Sequence, residues 1–169
     1  DDGVWTDHPA TNFLTVTRDE MTERPDPERL AARVARAFLG VRLDCAQCHD
    51  HPFAPWKQAD FRGLAAYFGG VHANLRGVHD GEGVYAPPDR KTKEPVPIAP
   101  RVPFRTELVP EGGTPRERLA AWVVDRRNPN LARVTTNRAW ALLFGRPLVE
   151  PIDDLPDEEA LPPALLVLA

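Results

Sequence analysis

Seven prolines fall between residues 87 and 110: Pro87, Pro88, Pro95, Pro97, Pro100, Pro103 and Pro110. Each locks its own φ and has no amide proton to donate. A stretch so populated cannot run through a helix interior or the middle of a sheet. The spacing therefore predicts a long connection over 71–113, with at most short extended pieces at 96–98 and 102–108. Regular structure is pushed to either side. A structureless stretch of that length marks a boundary or a wrapping segment.

On both sides the periodicity is helical. Asp26 and Pro27 form a helix start, and Leu30, Val34, Phe38 and Val41 then recur on one stripe, which predicts a helix over 27–42. Arg29, Arg33 and Arg36 fall largely off that stripe. Phe61, Leu64, Ala65 and Phe68 predict a second helix over 58–68, with Gly69-Gly70 as its stop. Thr114, Pro115 and Glu117 make a capping box for a third. A fourth runs from near Pro129 to Phe144, stopped by Gly145, and a fifth covers about 158–168. Before residue 25 there is no clear period, and Trp5, Phe13, Leu14 and Val16 are expected to pack as an extended arm. The fold class expected is mainly α: a first segment at 1–86, a proline-rich connection at 87–110, and a second helical segment at 111–169.

With 21 basic and 25 acidic residues the net charge is −4, so nothing argues for nucleic acid or an anionic membrane as partner. No stretch is long enough to span a bilayer. The chain opens Asp1-Asp2-Gly3 without a leader, and its apolar tail at 164–169 breaks off inside an expected helix. It is therefore expected to be a piece of a larger polypeptide or assembly.

Both cysteines of the chain lie in Cys45-Ala46-Gln47-Cys48-His49. Cys-x-x-Cys-His is the pattern of c-type haem attachment. Two thiols at this spacing reach the two vinyl groups on one porphyrin edge, and the next residue offers an imidazole to the iron. Two other chemistries use similar residues. A Cys-x-x-Cys dithiol serves redox exchange, usually in a βαβ context that is missing here. Cys45, Cys48, His49 and His51 also supply zinc-type ligands, although ligation by both histidines would be cramped, and no second pair stands at zinc-ribbon spacing.

The remaining histidines are candidates for the sixth iron position, or are ordinary surface residues. His72 comes first because it follows the second helix; His79, His8 and Met21 come after it, and a five-coordinate iron is also open. His51 is placed to bond a haem propionate or a backbone carbonyl. Phe53, Trp56, Phe61 and Tyr67 would line a haem pocket or simply pack a core. Arg42, Lys57 and Arg62 would pair with propionates or be solvated.

The run from Ala37 to Phe53, through Leu43-Asp44-Cys45-Ala46-Gln47-Cys48-His49-Asp50-His51-Pro52, continues into Trp56-Lys57-Gln58-Ala59-Asp60-Phe61 and Gly63-Leu64-Ala65-Ala66-Tyr67-Phe68. It resembles the planctomycete-type cytochrome c domain, the second haem-domain type of those proteins, which implies a cytochrome c-like haem-binding segment at 1–86. Asn137-Arg138-Ala139-Trp140-Ala141-Leu142-Leu143-Phe144-Gly145-Arg146, with Leu148-Val149-Glu150-Pro151-Ile152-Asp153-Asp154, resembles the start of the uncharacterised domain that commonly follows it. The resemblance implies an exported protein, periplasmic or extracellular. It implies haem c as cofactor, with the motif positions Cys45, Cys48, His49 and His51 as the haem-binding set.

The function expected is electron transfer through one covalent haem, with His49 as axial ligand. The partner would be a redox protein or a neighbouring haem subunit. A peroxidase-like enzyme with an open distal site, or a module stapled by haem or zinc, are the alternatives.

Overall fold

A computed structural model describes residues 7–17, 24–74 and 77–169. Trp5 and Met21 lie outside the described residues. The chain is mainly α. A 3-10 turn, Pro9–Thr11, leads into α1 (Asn12–Thr15). The long first helix is α2 (Pro27–Val34), continued by a π turn, Ala35–Leu39. A 3-10 turn, Asp44–Gln47, carries the motif, and α3 (Gln58–Ala65) follows, ending in a 3-10 turn at Ala66–Phe68. Then come β1 (Val71–Asn74) and β2 (Gly77–Asp80), an antiparallel hairpin. After the proline-rich stretch come α4 (Pro115–Val124), α5 (Asn130–Phe144) and α6 (Pro163–Leu168).

The helix starts follow the sequence logic. The Asp26 carboxylate accepts from the amides of Glu28 (2.9 Å) and Arg29 (3.1 Å) at the head of α2. At the head of α4 the Thr114 hydroxyl accepts from the Glu117 amide (3.3 Å) while Glu117 accepts from the Thr114 amide (2.8 Å). Gly145, at φ 78°, closes α5 in the left-handed conformation that glycine adopts without penalty.

Four expectations need correction. The first helix ends at Leu39 rather than at 42, because the ladder widens into the π turn and Gly40 takes φ 63°. Phe13 and Leu14 sit in the short helix α1 rather than in an extended arm, and Val16 is solvent-exposed. The connection over 71–113 contains the hairpin, which the glycine-rich sequence around it did not announce. Gly69 does not act as a left-handed stop. Its φ is −60°, and it is needed because a Cβ there would lie 2.3 Å from the Tyr85 nitrogen. The 84–85 backbone thus packs directly onto the end of the 3-10 turn that follows α3.

One hydrophobic cluster runs from Leu14 to Val123. Leu30, Ala31, Leu39, Phe61, Leu64, Ala65 and, from α4, Trp122 are all fully buried in it. Val102 and Leu108, from the proline-rich stretch, are also in it. That stretch wraps the core without forming a sheet: its one ladder contact among the described residues is the bridge between Pro88 and Pro95.

Candidate functional site

Two buried anchors set the motif. Leu43 and Ala46 are fully buried, and between and after them Cys45, Cys48 and His49 face solvent. A 3-10 turn advances about three residues per turn, so Leu43 and Ala46 share its inner side. The reactive atoms are held outward on a base that belongs to the core.

Neighbouring elements fix the loop. The Asp44 carboxylate is gripped by Arg36 of the π turn, with Nε and a terminal nitrogen each 2.9 Å from an oxygen. Gln47, between the two cysteines, donates to the Glu28 carboxylate of α2 at 2.5 Å. Tyr85 donates to the other oxygen of Glu28, also at 2.5 Å. Burial, then the hydrogen bond and charge of Glu28, push the Tyr85 phenol well above its ordinary range, so it remains a neutral donor. At the far end of the loop Asp50 accepts from the Gln58 amide (2.9 Å), one of the open donors at the head of α3. The Gln58 side chain returns a bond to the Gln47 carbonyl at 2.9 Å, and the His51 amide donates to the Trp56 carbonyl at 2.8 Å.

The two motif histidines differ in what their rings do. His49 Nδ1 lies 2.7 Å from the Asp50 carbonyl, which can only accept. Nδ1 is therefore the protonated nitrogen, and Nε2 keeps its lone pair, in an exposed ring. His51 Nδ1 accepts from the Phe53 amide at 3.1 Å, which leaves its Nε2 as the N–H of the neutral ring. One imidazole presents a ligand atom and the other a donor.

The expected pocket residues divide. Phe61 and Tyr67 are core side chains, whereas Phe53 is 94% exposed beside the motif. Trp56 is half-buried and leans on Phe104 (ring centroids 6.1 Å apart), which in turn leans on Trp122 (5.0 Å). An apolar cavity of about 450 Å³ lies elsewhere, walled by Phe13, Phe38, Phe68, Leu119, Val123 and neighbours. His72 is not left alone: it sits on β1, stacked on His79. His8 is exposed at the head of the first 3-10 turn. Among the described residues no three His, Cys, Asp or Glu side chains gather to hold a metal ion.

Two family models match the chain. Residues 3–73 match PSCyt2, a protein of unknown function (DUF1549), and residues 115–168 match PSD1, a protein of unknown function (DUF1553). This is the domain pair typical of planctomycete proteins. No curated protein and no solved structure matches the chain. The PSCyt2 segment contains the whole Cys45–His49 motif with α2 and α3, and the PSD1 segment begins at the first residue of α4.

The two matched segments meet at the end of the π turn. Arg138 of the PSD1 segment donates to the carbonyls of Ala37 and Arg36, the latter at 2.7 Å. Asn130 donates to the Leu39 carbonyl (2.8 Å), and the Leu155 amide to the Gly40 carbonyl (2.7 Å). These are the carbonyls a helix end leaves open. Arg42 is engaged here as well, 2.6 Å from Asp153, and its amide donates to Asp154 at 3.2 Å. Burial works against the ionised form of Asp153, but the Arg42 hydrogen bond and charge outweigh it and hold the group below the usual carboxylate range.

Sequence reasoning found the motif but missed what holds it. Glu28, Tyr85 and Asp50 carry no local signal of their role. Glu28 reads as an ordinary first-turn acid, and Tyr85 stands outside both matched segments. Of the candidate propionate partners, Arg42 has a carboxylate of its own, while Lys57 is exposed and Arg62 half-buried on α3.

Among the described residues no helix is long and apolar enough to cross a membrane.

Proposed function

We propose that Cys45 and Cys48 carry a covalently attached c-type haem, that His49 is its axial ligand, and that the protein passes single electrons to a redox protein or a neighbouring haem subunit. The observation that carries this is the contrast between the two imidazoles. His49 is fixed through Nδ1 by the Asp50 carbonyl at 2.7 Å with Nε2 left for a metal, the usual outer-shell device that orients a ligating imidazole. His51 is turned to other work by the Phe53 amide, and its Nε2–H suits a propionate oxygen.

Two further facts support the reading. Both thiols are exposed on one turn, open to attachment. Phe53, 94% exposed, is apolar surface in want of a cover, and burying a phenylalanine gains about 1.5–3 kcal/mol. When bound, the haem supplies a one-electron ferrous–ferric couple; the chain attaches, ligates and shields it. The proposal carries a location with it, periplasmic or extracellular, where thioether attachment takes place in bacteria.

The test is the visible spectrum of two variants of the haem-loaded protein. His49→Ala shifts the Soret band by removing the axial bond. His51→Ala leaves the ligation spectrum in place while changing the reduction potential or the stability. A Soret band unmoved by His49→Ala, or lost with His51→Ala, overturns the assignment.

A further inference from the structure

Two histidines that the motif does not use are brought face to face by the hairpin. His72 on β1 and His79 on β2 are direct register partners. Directly opposed residues of an antiparallel pair have Cβ atoms about 4.5–5.5 Å apart and share one face of the ribbon. Here the two rings stack with centroids 5.6 Å apart and planes 20° apart. The opposite face holds Val71, which is buried, and Asp80, whose carboxylate is taken by Arg116 at 2.6 Å. The imidazole face is therefore the open one, with His79 exposed and His72 half-buried.

We propose that this pair is a binding site for a divalent transition ion of the imidazole-preferring class, such as Zn²⁺, Cu²⁺ or Ni²⁺, with water completing the coordination. The site is independent of the haem reading. His72 Nε2 lies 3.2 Å from the Glu82 carbonyl. A carbonyl only accepts, so Nε2 bears the proton and Nδ1 carries the lone pair. A carbonyl on the second nitrogen is the arrangement that fixes the tautomer of ligating histidines. The loop after β2 is shaped around this ring, since a Cβ on Gly81 would lie 2.9 Å from His72 Cδ2 and 3.1 Å from Nε2. Metal–imidazole bonds are about 2.0–2.1 Å for zinc, so the two ligating nitrogens must close to roughly 3–3.5 Å of each other. Imidazole lone pairs lie in the ring plane, so a shared ion requires the exposed His79 ring to turn out of the stack toward the His72 Nδ1.

The test is a titration of the full chain with ZnCl₂ at neutral pH, read by calorimetry and by the ring signals of each histidine in NMR. Free thiols are first blocked with iodoacetamide so that Cys45 and Cys48 do not compete. One equivalent should bind, with the His72 and His79 signals moving together. His79→Ala, at an exposed position, should weaken binding by no less than the roughly tenfold that loss of an outer-shell partner costs a metal site. His79→Gln should do the same while keeping a polar side chain on the strand. Gly81→Ala should weaken binding by crowding the His72 ring. Variants that titrate like the parent, or shifts confined to His49 and His51, overturn the proposal.

Discussion

The rod formed by α2 and its π turn is held at both ends, by contrasting means. At its C-terminal end Arg138, Asn130 and the Leu155 amide bond the carbonyls of residues 36, 37, 39 and 40, all backbone acceptors, and beside them the Arg36 side chain reaches Asp44 of the motif. At its N-terminal end Asp26 caps the backbone amides, and a second carboxylate, Glu28, reaches Gln47 and Tyr85. The bonds from Arg138, Asn130 and Leu155 satisfy groups that any helix must satisfy, so they are scaffold. The Glu28 bonds join side chains that the fold does not require to be polar, and they terminate between the two cysteines. Stability should therefore concentrate at the α5 seam and in the buried base of the motif, and chemistry at the Glu28 end.

Leu43→Ala should show the largest effect. Leu43 is fully buried just before the motif, and removing a buried leucine to alanine costs about 2–5 kcal/mol. Urea unfolding of the variant measures it. A loss under 1 kcal/mol, roughly, would mean that the motif base is not part of the core.

Arg138→Ala probes the seam. It leaves the Ala37 and Arg36 carbonyls without their charged donor, a loss of about 1.5–3 kcal/mol. Gln47→Ala probes the other end, at an exposed side chain, and should cost no more than about 0.5 kcal/mol. If denaturant midpoints place Gln47→Ala level with Arg138→Ala, the contrast between the two ends collapses.

Near neutrality the smallest effect belongs to the pH dependence of Tyr85. Its folded pKa is raised by burial and by Glu28, so the folded state holds its proton where the unfolded state gives it up. That contribution is complete below the unfolded tyrosine value of about 10 and is lost as pH rises beyond it. Tyr85→Phe should flatten the decline in stability above that pH, measured by unfolding across the alkaline range. An unchanged slope would show that Tyr85 is not held as described.

Local features were legible in the sequence, and distant ones were not. Asp26, Thr114 and Gly145 announced helix ends because a cap depends on residues within one turn. The break at Ala35–Leu39 was hidden because Leu30, Val34, Phe38 and Val41 keep a continuous stripe, and Val41 is indeed buried, although outside the helix. The hairpin was hidden because each strand has only four residues. The Cys45–His49 motif could be read as a pattern, but the tautomers of His49 and His51 depend on the path of the loop. The pairing of Arg42 with Asp153 joins positions 111 residues apart, and no periodicity reports such a contact. Gly69 looked like punctuation, yet it is required by Tyr85, whose backbone passes against it.

The central claim, that the thiols of Cys45 and Cys48 hold a haem, is tested most directly by the intact mass of the natively produced protein, together with its pyridine haemochrome spectrum. The mass should exceed that of the bare chain by one haem, the haem should survive acid–acetone extraction, and the spectrum should be that of a c-type haem. A mass equal to the bare chain, a mass two hydrogens lower from a Cys45–Cys48 disulfide, or one equivalent of zinc in place of haem would contradict it.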